Sequence, residues 1–357
     1  MSTVGLTNPY LTQEKSPPVA QSYRYRKWLE RGYQPALAPI EVDSEIGTLI
    51  GQMGWAGGHA HRNGYLWGSA GNMGALMTET VESSYLLPIE ESPRGRLPAA
   101  ITVNNLVGRH ILLTKSGCRL DLVELEHPSL NVTILEMESD GVHYRMRYGT
   151  PTISELARTG SKPPKPTSEF FHYMLVFDQL GDYEFNALVH LQPKFLNLIS
   201  RSEHGVPERF YDFLKGYEPE TPIIYDSVGG IGLVMEKAPG IPELSFQSLR
   251  LFQGEDLPDR SADQFRHVVY WIGHGTFSRG VDILDSYRHA EYFEAAARMA
   301  WEANQTNIDS QAYSEETVSC ILDEFAANQL PEPDQTSVTE PNSTESSSET
   351  GNLYNYP

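Results

Sequence analysis

Apolar positions along this chain follow two rhythms. Phe170, Tyr173, Met174 and Phe177 recur at spacings of three and four, the signature of one buried helix face. Pro166-Thr167-Ser168-Glu169, just ahead, has the form of a helix start, with hydroxyl residues that can cap and an acid in the first turn. Gly181-Asp182 marks a turn, and Phe185, Ala187, Leu188 and Val189 predict a short, largely buried strand ending at His190. Alternation along that strand places His190 and Gln192 on one side. The helix-start carboxylate and the His190–x–Gln192 pair are thus joined through one turn and are candidates for convergence. An ordinary helix–strand hairpin carries the same pattern, so spacing alone does not make a site.

The same reading extends along the chain. Ile46, Leu49, Ile50 and Met53 predict a helix capped by Asp43 or Ser44. Strands are expected over 106–114, 132–137 and 142–148, the last two joined by a hairpin turn at Asp140-Gly141. Helices are expected over 194–200, 207–215 and 244–252, and a strand over 222–225. The apolar run Val268-Val269-Tyr270-Trp271-Ile272 predicts a buried strand ending at Gly273-His274-Gly275, where the flanking glycines leave the histidine open to approach. A long amphipathic helix over 281–301 and a shorter one near 315–325 follow. Residues 77–106, with Pro88, Pro93 and Pro98 among acids, predict a surface excursion. Residues 1–40 predict a flexible arm, 304–327 a helical extension, and 328–357, rich in Pro, Ser, Thr, Asn and Glu, a disordered tail.

Charge narrows the function. Lys and Arg total 27 against 47 Asp and Glu, a net −20. After Arg298 there is no basic residue and eleven acids follow, so the first 298 residues carry only −9 of that charge. A nucleic-acid partner is not expected, because phosphate-backbone binding needs a basic face. The patch Tyr23-Arg24-Tyr25-Arg26-Lys27-Trp28 is too short to change this and suits an arm docking on a neighbouring surface. Cys118 and Cys320 stand far apart without metal spacing, which fits a reducing compartment. No apolar run reaches membrane-spanning length and the N-terminus has no signal-peptide core, so a soluble cytoplasmic protein is expected, with no membrane partner.

Candidate chemistry collects at strand-to-turn junctions. In Gly68-Ser69-Ala70-Gly71-Asn72, small residues let backbone N–H groups approach an anion, and Ser69 and Asn72 add side-chain donors; tight turns between strands have the same composition. His59-Ala60-His61, in the Gly-rich segment 54–74, would chelate a metal only if it lay on a strand with a third ligand. Thr114-Lys115-Ser116-Gly117 is a polar turn closing a strand.

Together these motifs resemble the class II aldolase/adducin family over residues 41–303, in order. Gly68-Ser69-Ala70-Gly71-Asn72 is similar to the family's phosphate loop and Leu112-Leu113-Thr114-Lys115-Ser116-Gly117 to its second phosphate-side turn. Pro166-Thr167-Ser168-Glu169 resembles the motif whose hydroxyls touch phosphate and whose Glu is catalytic. Ala187-Leu188-Val189-His190 and Gly273-His274-Gly275-Thr276 resemble the strands delivering metal ligands. The resemblance implies a three-layer α/β/α fold with a central, mostly antiparallel sheet, usually in a homotetramer with sites at subunit interfaces. It implies a divalent ion, zinc first, on His190, His274 and Gln192. It assigns phosphate binding to Ser69, Gly71, Asn72, Ser116, Gly117, Thr167 and Ser168, and makes Glu169 the acid/base. Tyr211 falls where the family's aldolases have an acid/base Tyr from a neighbouring subunit; packing between helices is the alternative role. The implied activity is a lyase of aldolase, dehydratase or epimerase type on a small phosphorylated ketose, working through an enediolate-like intermediate.

The sequence departs from the family at Gln192, where the metal enzymes have a second His. A neutral amide oxygen is a weaker zinc ligand than imidazole. His172, one helical turn after Glu169, is a candidate replacement ligand, with an ordinary buried helix histidine as the alternative. A non-catalytic, adducin-like scaffold is therefore the second reading.

Overall fold

The computed structural model describes residues 11–12, 40–41, 43–123, 127–181, 185–227, 229–235, 241–256, 265–306 and 313–328. The patch at 23–28, the 329–357 tail and most of the N-terminal arm lie outside these residues. Strands β1 (Leu11–Thr12) and β2 (Ile40–Glu41) form a small parallel pair. The main sheet comprises β3 (Asn72–Leu76), β4 (Arg94–Arg96), β5 (His110–Thr114), β6 (Val132–Met137), β7 (His143–Tyr148), β8 (Ala187–Leu191), β9 (Ile231–Val234), β10 (Val268–Trp271) and β11 (Gly275–Gly280). Their spatial order is β4-β7-β6-β5-β3-β8-β11-β10-β9, antiparallel throughout except for β9 against β10. The helices are α1 (Glu45–Arg62), the single turn α2 (Pro128–Asn131), α3 (Ile153–Thr159), α4 (Phe170–Leu180), α5 (Lys194–Ser200), α6 (Pro207–Leu214), α7 (Glu220–Ser227), α8 (Pro242–Phe252), α9 (Ile283–Thr306) and α10 (Glu315–Asn328).

Period-two alternation divides the core into two layers. Met73, Leu112, Ile134 and Val189 face α1 and α9, packing with Ile50, Met53 and Tyr287. Ile111, Leu113, Leu188 and Phe277 face α4 and α8, packing with Met174, Phe177, Leu244 and Phe252. A register shift opposite Ile134 and Leu135 leaves an extra residue on β7 between Met146 and Tyr148, so that Tyr148 serves the first layer while Met146 and Tyr144 serve the second. A third cluster seats α5 and α6 against β10 and α9 through Leu196, Phe210, Tyr270 and Phe293. The result is the expected α/β/α sandwich.

Four local expectations fail. Residues 54–62 of the Gly-rich segment 54–74 form the second half of α1, which runs to Arg62 and carries His59 and His61. Its Gly57 faces the Leu120 backbone so closely that a Cβ there would meet the Leu120 carbonyl oxygen. Close packing thus favours glycine despite its poor helix propensity. Residues 222–225 belong to helix α7, not a strand. The 77–106 excursion keeps an exposed polar side but buries Val81, Leu97, Ile101 and Val103 and lends β4 to the sheet edge, so it is not a purely surface feature. Between His274 and the long helix lies β11, a strand that the small and polar residues of Gly275–Gly280 did not announce.

Candidate active site

The site forms where β3 and β8 end side by side. Register pairs Asn72 with His190 across β3 and β8, and His190 with Phe277 across β8 and β11. An isolated bridge between Lys115 and Pro166 ties the turn after β5 to the approach to α4. These junctions enclose a cavity of about 90 Å³. All seven predicted phosphate residues, Ser69, Gly71, Asn72, Ser116, Gly117, Thr167 and Ser168, line it together with Glu169, His190 and Gln192. Gly71 has φ +79° and lies against β8; a Cβ there would sit 2.8 Å from the His190 carbonyl oxygen. Only glycine fits this closure.

Glu169 is buried at 6% exposure and occupies the residue before α4. Thr167 and Ser168 do not cap the helix. Their hydroxyls turn to the carboxylate instead, Ser168 Oγ donating to Oε1 at 2.8 Å and Thr167 Oγ1 to Oε2 at 3.1 Å. Asn72 Nδ2 donates to Oε2 at 2.7 Å. Burial pushes the Glu169 carboxyl up, but His190, the two hydroxyls and His274 together outweigh it and hold the group below the usual range. Glu169 is therefore ionised at neutral pH.

Two contributors escaped the sequence reading. Tyr173, predicted only as a core residue, donates from its hydroxyl to Asn72 Oδ1 at 2.6 Å and so turns the Asn72 amide with Nδ2 toward Glu169. Lys115 lines the cavity while its ammonium is bound to the carbonyl oxygens of Ser129 and Gly149. Its side chain thereby ties the turn after β5 to Ser129 and Gly149. A lone polar atom on a buried helix face was the available signal for Tyr173; Lys115 was marked only as a member of the polar turn Thr114–Gly117.

His190 Nδ1 lies 2.8 Å from the Thr276 carbonyl oxygen, which can only accept, so Nδ1 carries the proton and Nε2 keeps its lone pair. The His274 ring stacks on His190 at 4.9 Å and 10°, and its buried Nε2 has no hydrogen-bond partner among the described residues. Burial and the neighbouring His274 push His190 down to about 4, against a smaller upward pull from Glu169; burial also lowers His274. Both rings are therefore neutral near pH 7, the state a metal ligand requires. Gly275 lets β11 approach, since a Cβ there would lie 3.0 Å from His190 Cε1. Two bare imidazole nitrogens with the Gln192 amide nearby fit a divalent ion, although His190 and His274 gather no third His, Cys, Asp or Glu ligand atom within 4.8 Å among the described residues.

The other candidates lie elsewhere. Glu138, Asp140 and His143 do cluster within 4.8 Å, but they are engaged by Arg94, Arg145 and each other at a hairpin. His59 stacks on Trp55 and bonds Tyr287, and His61 faces Asp121, so neither reaches the cavity. His172 is enclosed by Phe252, Trp271 and Phe277 behind the site. Tyr211, on α6, stacks on Tyr225 within this chain and does not line the cavity.

The family model described as "Class II Aldolase and Adducin N-terminal domain" matches residues 53–301. The chain belongs to the class II aldolase and adducin family. A sugar-phosphate aldolase from Thermotoga maritima shares the fold with a TM-score of 0.58 at 21% identity, over 75% of this chain and 99% of that one. A putative aldolase/epimerase/decarboxylase, YgbL from Klebsiella pneumoniae, aligns at 18% identity with a TM-score of 0.48, over 77% and 97% of the two chains. L-Fuculose-1-phosphate aldolase from Thermus thermophilus aligns at 15% and 0.42, over 74% and 98%. No curated protein sequence matches the chain. As in other class II aldolase-family folds, helices sandwich a large sheet, and none of the described helices is long and apolar enough to cross a membrane.

Proposed function

We propose that this protein is a metal-assisted lyase acting on a small phosphorylated ketose. One observation supports the reading: a buried, ionised carboxylate, the neutral His190 imidazole and an anion pocket of small and hydroxyl residues meet at one cavity, and the neutral His274 ring stacks on His190 beside it. His190, His274 and the Gln192 amide oxygen would hold a divalent ion, zinc first among candidates. Bound there, it would act as a Lewis acid on the substrate's carbonyl oxygen.

The chain's own residues supply the rest. Ser69, Gly71, Asn72, Ser116, Gly117, Thr167 and Ser168 bind the phosphate. Binding energy from that remote group holds the reacting carbons in place. Glu169 takes or returns a proton at the carbon next to the carbonyl. Before substrate binds, its three donors keep it ionised; the Thr167 and Ser168 hydroxyls would then turn to the phosphate, leaving Asn72 Nδ2 to fix its orientation. In a homotetramer, Tyr211 would serve a neighbour's site as a second acid/base.

The test is turnover of a panel of ketose phosphates with zinc, manganese or cobalt, scored for cleavage, epimerisation and dehydration. Glu169→Gln should lower kcat by about 10²–10⁴-fold. No turnover on any member, together with a melting temperature unmoved by inorganic phosphate, would favour the scaffold reading that Gln192 supports, because a ligand of the native state raises stability.

A further inference from the structure

Helix α5 joins the two halves of the proposed metal site. It starts two residues after Gln192, and its C-terminal half grips the turn that carries His274. Asn197 Nδ2 donates to the His274 carbonyl oxygen at 3.4 Å, and Gly273 N donates to Ser200 Oγ at 3.1 Å. Arg201, just past the helix, donates to the Gly273 carbonyl oxygen at 3.1 Å. Tyr270, on the strand leading into that turn, donates to Asn197 Oδ1 at 2.5 Å. The Gly273–His274 backbone is thus held at three points by α5 and the residue after it.

The N-terminus of α5 has no cap of its own. Pro193 stands at the cap position and offers no side-chain acceptor. The acceptor comes from α9. Glu294, 1% exposed, accepts from Phe195 N through Oε1 and from Leu196 N through Oε2, both at 2.9 Å. A buried carboxylate from a remote helix therefore does the work that a Ser or Asp at the cap position would do. Nothing in the proposed chemistry requires an acid at 294, and burying one is costly unless it is bonded this way.

We infer that Glu294 is a positioning residue: by clamping the start of α5 it sets the separation between Gln192, at one end of the helix, and His274, at the other. The inference rests on the metal-site reading for its functional consequence, but not for its structural one. His190 hangs on Thr276 of β11, so the clamp should act on His274 and Gln192 and leave His190 in place.

The test uses the full chain labelled at histidine Cε1, with the His190 and His274 resonances assigned from His190→Gln and His274→Gln. In Glu294→Gln, one amide hydrogen faces a backbone N–H and half of the clamp is lost. The His274 resonance should shift more than the His190 resonance, which feels the change only through the stacked ring. Glu294→Asp, which keeps two acceptor oxygens, should restore much of the wild-type position and also covers the case in which Glu294→Gln does not fold. Cobalt(II) titration followed by visible absorption gives the functional arm. Glu294→Gln should weaken binding by about 10–100-fold, the range seen when groups orienting metal ligands are removed. A lower melting temperature with the His274 resonance unmoved would overturn the inference and leave Glu294 as a helix cap only. If the wild-type protein binds no cobalt, the metal-site reading fails, and the histidine resonances still decide whether the clamp exists.

Discussion

At the scale of single residues, the site is governed by what surrounds Glu169. An isolated carboxylate so buried would take up a proton, because desolvation disfavours its charge. His190, the Ser168 and Thr167 hydroxyls and His274 reverse that outcome, and Asn72 Nδ2 adds a third hydrogen bond to the carboxylate. Tyr173 stands one step further out and acts through the Asn72 amide. Tyr173→Phe leaves Asn72 Oδ1 buried without its closest donor and should cost about 1–3 kcal/mol in denaturant unfolding. It also frees the amide to turn away from Glu169, so the acid limb of the pH–rate profile should move to higher pH. A loss of stability with that limb unmoved would mean that Tyr173 merely packs. That Glu169 and His190 meet at one cavity was legible in the sequence because each closes or opens an element. Tyr173 was not, because its helical spacing marks it as core and its hydroxyl partner lies on a distant strand.

At the scale of elements, the cavity exists because several chain segments can come unusually close. Gly71 and Gly68 both have positive φ, but only Gly71 is pressed against β8, while a Cβ at Gly68 would meet open space. Gly71→Ala should therefore cost more than the roughly 1–3 kcal/mol of backbone strain expected for Gly68→Ala, and should abolish stabilisation by inorganic phosphate. Equal losses for the two variants would show that closure against His190 is unimportant. The strands with a clear apolar run, β6, β8 and β10, were legible, as were the helices with an apolar stripe, α4, α5 and α8. The second half of α1 was not, because its glycines are selected by contact with Leu120 rather than by helix propensity. Strand β11 hid for a related reason: Gly275 and Gly280 leave room for neighbours, and buried Ser278 and Arg279 break the apolar pattern.

For the molecule as a whole, the interior holds histidines in their neutral form. Burial lowers His172 and His267 to about 3 and His127 to about 4, and burial with His274 lowers His190 to about 4, all from an ordinary 6.5. Each is depressed in the folded state, so the unfolded chain binds more protons below 6.5. Stability should be fully present above that pH and fall as pH drops from about 6.5 toward 4. Denaturation midpoints at a series of pH values test this, and His267→Gln should flatten the fall. A profile level down to about pH 4.5 would contradict the burial of these rings. Glu169 adds its own loss only below the ordinary carboxylate range, at the foot of this window. The sandwich and the order of its site motifs were legible because five junctions keep one sequence order; which residues hold those junctions rigid emerges only from tertiary contacts. The central claim is that His190, His274 and Gln192 hold a divalent ion beside an ionised Glu169. Elemental analysis of the untagged, purified protein, next to His190→Ala, tests it most directly. The account predicts a near-stoichiometric transition metal in the wild type that is lost in the variant. No metal in the wild type, even after incubation with zinc, manganese, iron and cobalt in turn, would contradict it.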